Sequence, residues 1–259
     1  MPSTIRLSTE ELALALSVSG FQQQAHNLII STFGQGMSRD EAQGRMIAAG
    51  HSLISGQLLS INDDNTISIS PLLQEVVEVL ISTQRTIRLS YQSISEQRTL
   101  SYHSTARGIY EYWIDGGITH VISLVEKEAI LEAAPVFFEL QRYIEMPDAS
   151  GTILNSLLKQ ARRLSDAEQV EALLNKAQIP RAISKQLSED IVNTVAVGDV
   201  LDIYYQQDGS PASDQGLLLL FGKERYWIFL PMKVENDALF TILPSTVTSL
   251  QNGIQQLGF

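Results

Sequence analysis

The side chains able to do chemistry in this chain are few and scattered. There are four histidines, His26, His51, His103 and His120, and no cysteine. Imidazole would carry acid–base or metal chemistry near neutral pH. None of the four forms a His-x-x-x-His or His-Glu-x-x-His arrangement. His103 and His120 fall on neighbouring predicted strands, where Glu126 or Asp115 would have to complete a metal set. Histidines on a strand or at the surface, with no metal role, are the simpler reading, and no metal site is expected. Ser156-Leu157-Leu158-Lys159 has the Ser-x-x-Lys spacing of some acyl enzymes. Its Ser-Asp-Asn and Lys-Thr-Gly partners are missing, so Leu157 and Leu158 read as a buried helix face and Lys159 as solvated. Gly34-Gln35-Gly36 precedes a helix, but Arg39 stands where a third glycine would complete a phosphate loop, and no strand leads into it. Acidic pairs occur at Glu10-Glu11, at Asp63-Asp64 and at Glu75 with Glu78. A catalytic pair needs a pocket that shifts its pKa values, and Asp63-Asp64 reads instead as the tip of a turn. The EF-hand calcium pattern is absent. Without cysteine, disulfides, thiolate catalysis and cysteine-held zinc are excluded. These residues predict no catalytic group and no cofactor.

The elements that position these residues follow from pattern. Ser8 with Glu11, Ser38 with Glu41 and Ser165 with Glu168 have the spacing of helix-starting capping boxes. Helices are predicted after Ser8, over Phe21–Phe33, after Ser38, and from Ser70-Pro71, where proline suits a first turn. Leu58–Ser70 reads as a hairpin with Asn62-Asp63-Asp64-Asn65 at its tip. A β meander follows, with strands near 86–92, 99–105, 109–114 and 118–125, and Asp115-Gly116-Gly117 as a turn. A helix over Glu126–Arg142 should be kinked or divided by Pro135. Met146–Gly151 then marks a join. Helices are expected near 152–163, 166–177 and 181–193, and a second meander near 199–206, 216–221, 225–232 and 238–243. Asp208–Asp214 and Asn236-Asp237 read as loop and turn, and a closing helix begins near Ser245.

The two meanders resemble each other. Residues 89–114 align without a gap to 203–228 at an offset of 114, with six identities in 26 positions, including Tyr91/Tyr205, Gly108/Gly222 and Trp113/Trp227. The expectation is a single α+β domain over 1–259, built from two pseudo-symmetric halves, 1–146 and 147–259. Each half would run helices, antiparallel meander, helix, and together they would form a central sheet flanked by helical clusters. In each Tyr-Trp-Ile strand the Tyr and Ile share one face and the Trp takes the other. The tryptophans would either fill equivalent cores beneath helices or form an aromatic patch for a partner.

Charge narrows the partners. The net charge is −11, and residues 1–80 carry three basic against eight acidic side chains. That gives no basic footprint for nucleic acid and no attraction to an anionic membrane. The N-terminal residues lack the apolar run of a signal peptide, and no stretch of 18 apolar residues exists, so a cytoplasmic location is expected. Residues 38–69 have the helix-and-wing order of a winged helix, which makes a regulatory protein one alternative. Only Arg39 and Arg45, beside Asp40 and Glu41, would face a nucleic acid. An enzyme with a site assembled from scattered residues is another.

Two stretches resemble a known family. The first runs Ser52–Leu59, a short hairpin, then Ser70-Pro71-Leu72-Leu73-Gln74-Glu75-Val76-Val77. The second runs Gln215–Leu220, then Arg225-Tyr226-Trp227-Ile228-Phe229, then Leu239–Pro244 and a final amphipathic helix. Together they are similar to the EspG-like cytosolic chaperones of type VII (ESX) secretion. The resemblance implies a non-enzymatic cytosolic protein that holds a helical secreted client, PE–PPE-like or other, by its exposed apolar tip. It implies binding through the sheet and through the loop after the first meander strand. Here that loop is Ser93, Ile94, Ser95, Glu96, Gln97 and Arg98, with Ile94 as the apolar anchor. A single exposed apolar residue is also common on any surface.

Overall fold

The computed structural model describes residues 4–64, 66–177, 179–206, 210–232 and 239–258, with Asp214 described by its backbone alone. The turn expected at Asn236-Asp237, the first two residues of the loop at Asp208–Asp214, and Asn65 of the hairpin tip lie outside the described residues. The chain divides into two compact units. Unit 1 is Met1–Arg85 with Ser101–Glu126, and unit 2 is Thr86–Leu100 with Lys127–Phe259.

The fold is α+β, with antiparallel sheet and flanking helices, as the sequence pattern predicts. In chain order the elements begin β1 (Thr4–Ser8), α1 (Thr9–Val18), α2 (Gln22–Phe33), α3 (Arg39–Ser55), β2 (Leu59–Ile61), β3 (Ile67–Ile69) and α4 (Pro71–Ser82). The first meander is β4 (Arg85–Ser93), β5 (Gln97–Thr105), β6 (Gly108–Asp115) and β7 (Thr119–Val125), followed by α5 (Ala129–Phe137). Next come β8 (Gly151–Leu154), α6 (Asn155–Ala161), α7 (Ala167–Lys176) and α8 (Arg181–Val192). The second meander is β9 (Ala196–Tyr205), β10 (Pro211–Phe221), β11 (Tyr226–Met232) and β12 (Leu239–Leu243), and α9 (Val247–Gln256) closes the order. Among the described residues no helix is long and apolar enough to cross a membrane.

Unit 1 orders its strands β1-β7-β6-β5, the last from Ser101 onward. Ser8 ends β1 and starts α1 through a complete capping box. The Glu11 amide donates to Ser8 Oγ at 3.1 Å, and the Ser8 amide donates to Glu11 Oε2 at 2.7 Å. Ser38 and Ser70 cap α3 and α4 through the hydroxyl alone, accepting from the amides of Glu41 and Leu73. Leu12, Leu16, Leu53, Leu73 and Val76 pack beneath Tyr110 and Ile122 as the core. Gly116 and Gly117 both take positive φ, +57° and +78°, which the tight turn between β6 and β7 demands.

Unit 2 orders its strands β4-β9-β10-β11-β12-β8. Val170, Leu174, Leu187 and Ile191 of α7 and α8 pack on Trp227, Phe229 and Ile242. The third capping box is displaced by one residue. Asp166, not Ser165, caps α7 and accepts from the Glu168 amide at 2.9 Å. A carboxylate is at least as good an acceptor there as a hydroxyl, and its charge favours the helix start. Pro135 lies inside α5, which ends two residues later, and a 3₁₀ turn at Leu140–Arg142 follows.

Two strands differ from the sequence reading. The sequence reading assigns residues 4–8 to no element, yet they form β1, which pairs antiparallel with β7, Ile5 opposite Ile122. Residues 152–154 were expected in a helix, yet β8 pairs antiparallel with β12, Ile153 opposite Phe240. β1 does alternate, with Ile5 and Leu7 buried between Thr4, Arg6 and Ser8, but over five residues only; β8 has four residues, and each strand is fixed by a distant partner. The Tyr-Trp-Ile tripeptides also differ. In unit 2 Trp227 is fully buried beneath the helices. In unit 1 Tyr112 packs on the helical core, and Trp113 is half-buried outside it. The two equivalent-looking strands therefore turn opposite faces to their helices.

Candidate partner-binding loop

The six residues Ser93–Arg98 join β4 to β5 in unit 2. Their backbone is closed by Ser93. Its amide donates to the Glu96 carbonyl at 2.8 Å. Its hydroxyl accepts from the amides of Ser95 at 3.3 Å and Glu96 at 3.1 Å. Local side-chain-to-backbone bonds of this kind hold a turn without tertiary help. At its tip Ile94 is 103% exposed, so a large apolar side chain is held entirely in water.

Arg98 is different. Its Nη1 donates to Glu96 Oε1 at 3.2 Å and to Glu139 Oε1 at 2.9 Å. Its guanidinium lies 4.5 Å over the Tyr91 ring and 5.4 Å from that of Phe137. Arg98 therefore roots the loop and is not a free cation at its surface. Glu139, just after α5, has φ +54°, a left-handed conformation unusual outside glycine, and it also pairs with Arg142. Beneath Tyr91 lies an aromatic layer: Phe221 at 5.5 Å from Tyr91, with Phe138, Tyr143 and Tyr226 around it. Burial raises the phenol pKa of Tyr143, and Glu139 and Tyr91 reinforce it.

The strands beside the loop carry a polar group that the sequence reading missed. Arg88 and Ser90 of β4 neighbour Asp199 of β9. Burial raises the Asp199 carboxyl pKa, while a bond from Ser90 and the charge of Arg88 oppose the rise. Asp199 Oδ1 and Arg88 Nε are buried without a hydrogen-bond partner among the described residues. No short-range signal marks this set, because 109 positions separate Ser90 from Asp199.

The sites weighed for metal and acyl chemistry do not assemble. Tyr112 Oη bonds His120 Nδ1 at 2.7 Å, and Thr9 Oγ1 bonds His120 Nε2 at 3.1 Å, so both ring nitrogens are engaged. His103 is buried with its ring 5.7 Å from Tyr112, and burial pushes its pKa down to about 4. Asp115 is taken by Arg6. Among the described residues no three His, Asp or Glu side chains are placed to hold a metal ion. Leu158 is buried on α6, while Lys159 is exposed.

Residues 4–254 match the family described as "Uncharacterised protein YfjC". The chain belongs to the YfjC family. No curated protein matches it. Among solved structures, this YfjC-family chain is similar to the type VII secretion system chaperone EspG5 of Mycobacterium tuberculosis, solved in complex with a PE25-PPE41 dimer. The TM-score is 0.69 at 11% identity, over 98% of this chain and 95% of that one. At that identity the likeness is one of fold.

Proposed function

We propose that this YfjC-family chain is a non-catalytic cytoplasmic binding protein that holds a helical secreted client, as EspG-like type VII secretion chaperones do. The observation that carries the reading is the likeness in fold, end to end, to a chaperone solved with its PE25-PPE41 dimer. The loop Ser93–Arg98 supports it. A self-closed turn presents Ile94 to solvent, so an apolar anchor is offered with little left to order on binding. Covering a client's apolar tip would supply about 25 cal/mol for each Å² buried, less the losses of association. The role of the loop in docking, with Ile94 as anchor, is part of the proposal.

The test is co-expression with helical-hairpin secretion substrates, followed by titration calorimetry of the purified pair. A one-to-one complex that Ile94→Asp weakens about tenfold or more is the expected result. A complex indifferent to Ile94→Asp would remove the loop as the contact. Failure of every helical hairpin to bind would remove the chaperone role.

A further inference from the structure

The charge of this chain is unevenly spread. Residues 149–188 hold six of its 18 lysines and arginines but only three of its 29 carboxylates. The rest of the chain sets twelve cations against twenty-six carboxylates. The basic stretch comprises β8, α6, α7 and the first turns of α8. Its cations are Lys159, Arg162, Arg163, Lys176, Arg181 and Lys185, and all are exposed. Among the described residues none of the six is in an ion pair. Elsewhere Arg6, Arg45, Arg98, Arg107, Arg142 and Arg225 are each neutralised by a carboxylate.

Three of the six meet at one corner. Lys176 ends α7, and Arg181 starts α8 after a connection of four residues. Lys185 follows one turn on, on the same face of α8 as Arg181. Ser184 Oγ donates to Asn175 Oδ1 at 2.7 Å, which ties the last turn of α7 to the first turns of α8 beside Lys176 and Lys185. Ile179, in the connection, is buried in the core with Ile153 and Ile242. The three cations therefore stand on a fixed backbone. No Asp or Glu occurs from Ala172 to Ser188. Lys159, Arg162 and Arg163, by contrast, lead into Asp166, Glu168 and Glu171, which offset their charge. The corner does nothing for the fold. Like charges four residues apart, as Arg181 and Lys185 are, oppose a helix. Arg181 also stands in the first turn, where the helix dipole favours anions. Residues that break a local rule without a structural return point to a partner.

The size of the patch selects the occupant. In physiological salt an exposed charge is felt over about 8 Å, so only groups brought onto the corner sense it. Duplex nucleic acid and an anionic bilayer extend well beyond three side chains, and would lay phosphates against the acidic remainder of the chain. No Phe, Trp or Tyr occurs in residues 149–188 to stack on a base or to anchor in a bilayer. A short run of Asp and Glu on a partner protein places its whole charge on the corner, and its carboxylates accept charge-assisted hydrogen bonds from Lys and Arg. We infer that the corner of α7 and α8 docks an acidic segment of a partner protein through Lys176, Arg181 and Lys185. This contact shares no residue with the loop Ser93–Arg98 and stands apart from the chaperone reading.

The probe is a fluorescent polyglutamate peptide, read by anisotropy. The wild-type chain should bind it, and binding should weaken as salt rises. The triple variant Lys176→Glu, Arg181→Glu, Lys185→Glu should lose about tenfold or more in affinity. Its melting temperature should not fall, because the substitutions relieve the opposed dipole at the start of α8. A second triple variant, Arg39→Glu, Lys127→Glu, Lys223→Glu, makes the same change in net charge at three exposed cations elsewhere. It should lose less than about twofold, since distant charge is screened. Equal losses in the two variants would overturn the proposal, because binding would then follow net charge alone. So would a wild-type chain that fails to bind the peptide at low salt, or that binds duplex DNA or phosphatidylserine vesicles more tightly than the peptide. Ile94→Asp should bind the peptide as the wild type does, which keeps this test separate from that of client binding.

Discussion

Ile94 and Arg98 are close in sequence and opposite in role. Ile94 is fully exposed, so Ile94→Asp should change the stability of the isolated chain by no more than about 0.5 kcal/mol in urea unfolding. Arg98→Glu should destabilise it by about 1–2 kcal/mol, because a third carboxylate would then face Glu96 and Glu139 and the cation over Tyr91 would be lost. The sequence exposes Ile94 as one apolar residue in a polar loop. It hides the anchoring of Arg98, because Glu139 lies 41 residues away. His103 and His120 supply a pH test. Burial lowers both pKa values, His103 from 6.5 to about 4, so the folded state holds them neutral while the unfolded chain takes up protons. Their contribution is complete above pH 6.5 and is lost progressively as pH falls toward about 4. The urea midpoint should fall over that window, and His103→Leu should flatten the decline.

Elements were legible in proportion to how locally they are determined. The meander strands and most helices follow alternation, helical spacing and caps carried by their own residues. β8 does not, since it is a strand only by pairing with the last strand of a meander, and β1 alternates over too few residues to stand without the same kind of partner. The Ser8 box belongs to the local class, and Ser8→Ala should cost about 1 kcal/mol, read as a shift in the urea midpoint. The attachment of α8 to β11 belongs to the distant class. Asp190 is buried and accepts from Trp227 Nε1 at 2.9 Å and Arg225 Nε at 2.9 Å. Sequence reading placed Trp227 on a strand but gave no hint of its carboxylate partner 37 positions earlier. Asp190→Ala leaves the buried Trp227 Nε1 without an acceptor and Arg225 with Glu189 alone, and should cost about 1–3 kcal/mol in thermal or urea unfolding. Gly222 is tied to the same carboxylate, because a Cβ there would collide with it.

For the molecule as a whole, composition read the charge and missed where the charge is absent. The acidic total was legible, but only folding showed that α2 and the second half of α3, both free of Asp, Glu, Lys and Arg, bury no more than Ala25, Ala49 and Leu53. The pairing of β1 with β7 sets a different clock. Ile5 leaves the ribosome well over a hundred residues before its partner Ile122. At about 5–20 residues per second that interval is roughly 6–23 s. β1 therefore cannot be seated until β2 to β7 have all been made, and Ile5 and Leu7 remain open to passing chaperones for the whole wait.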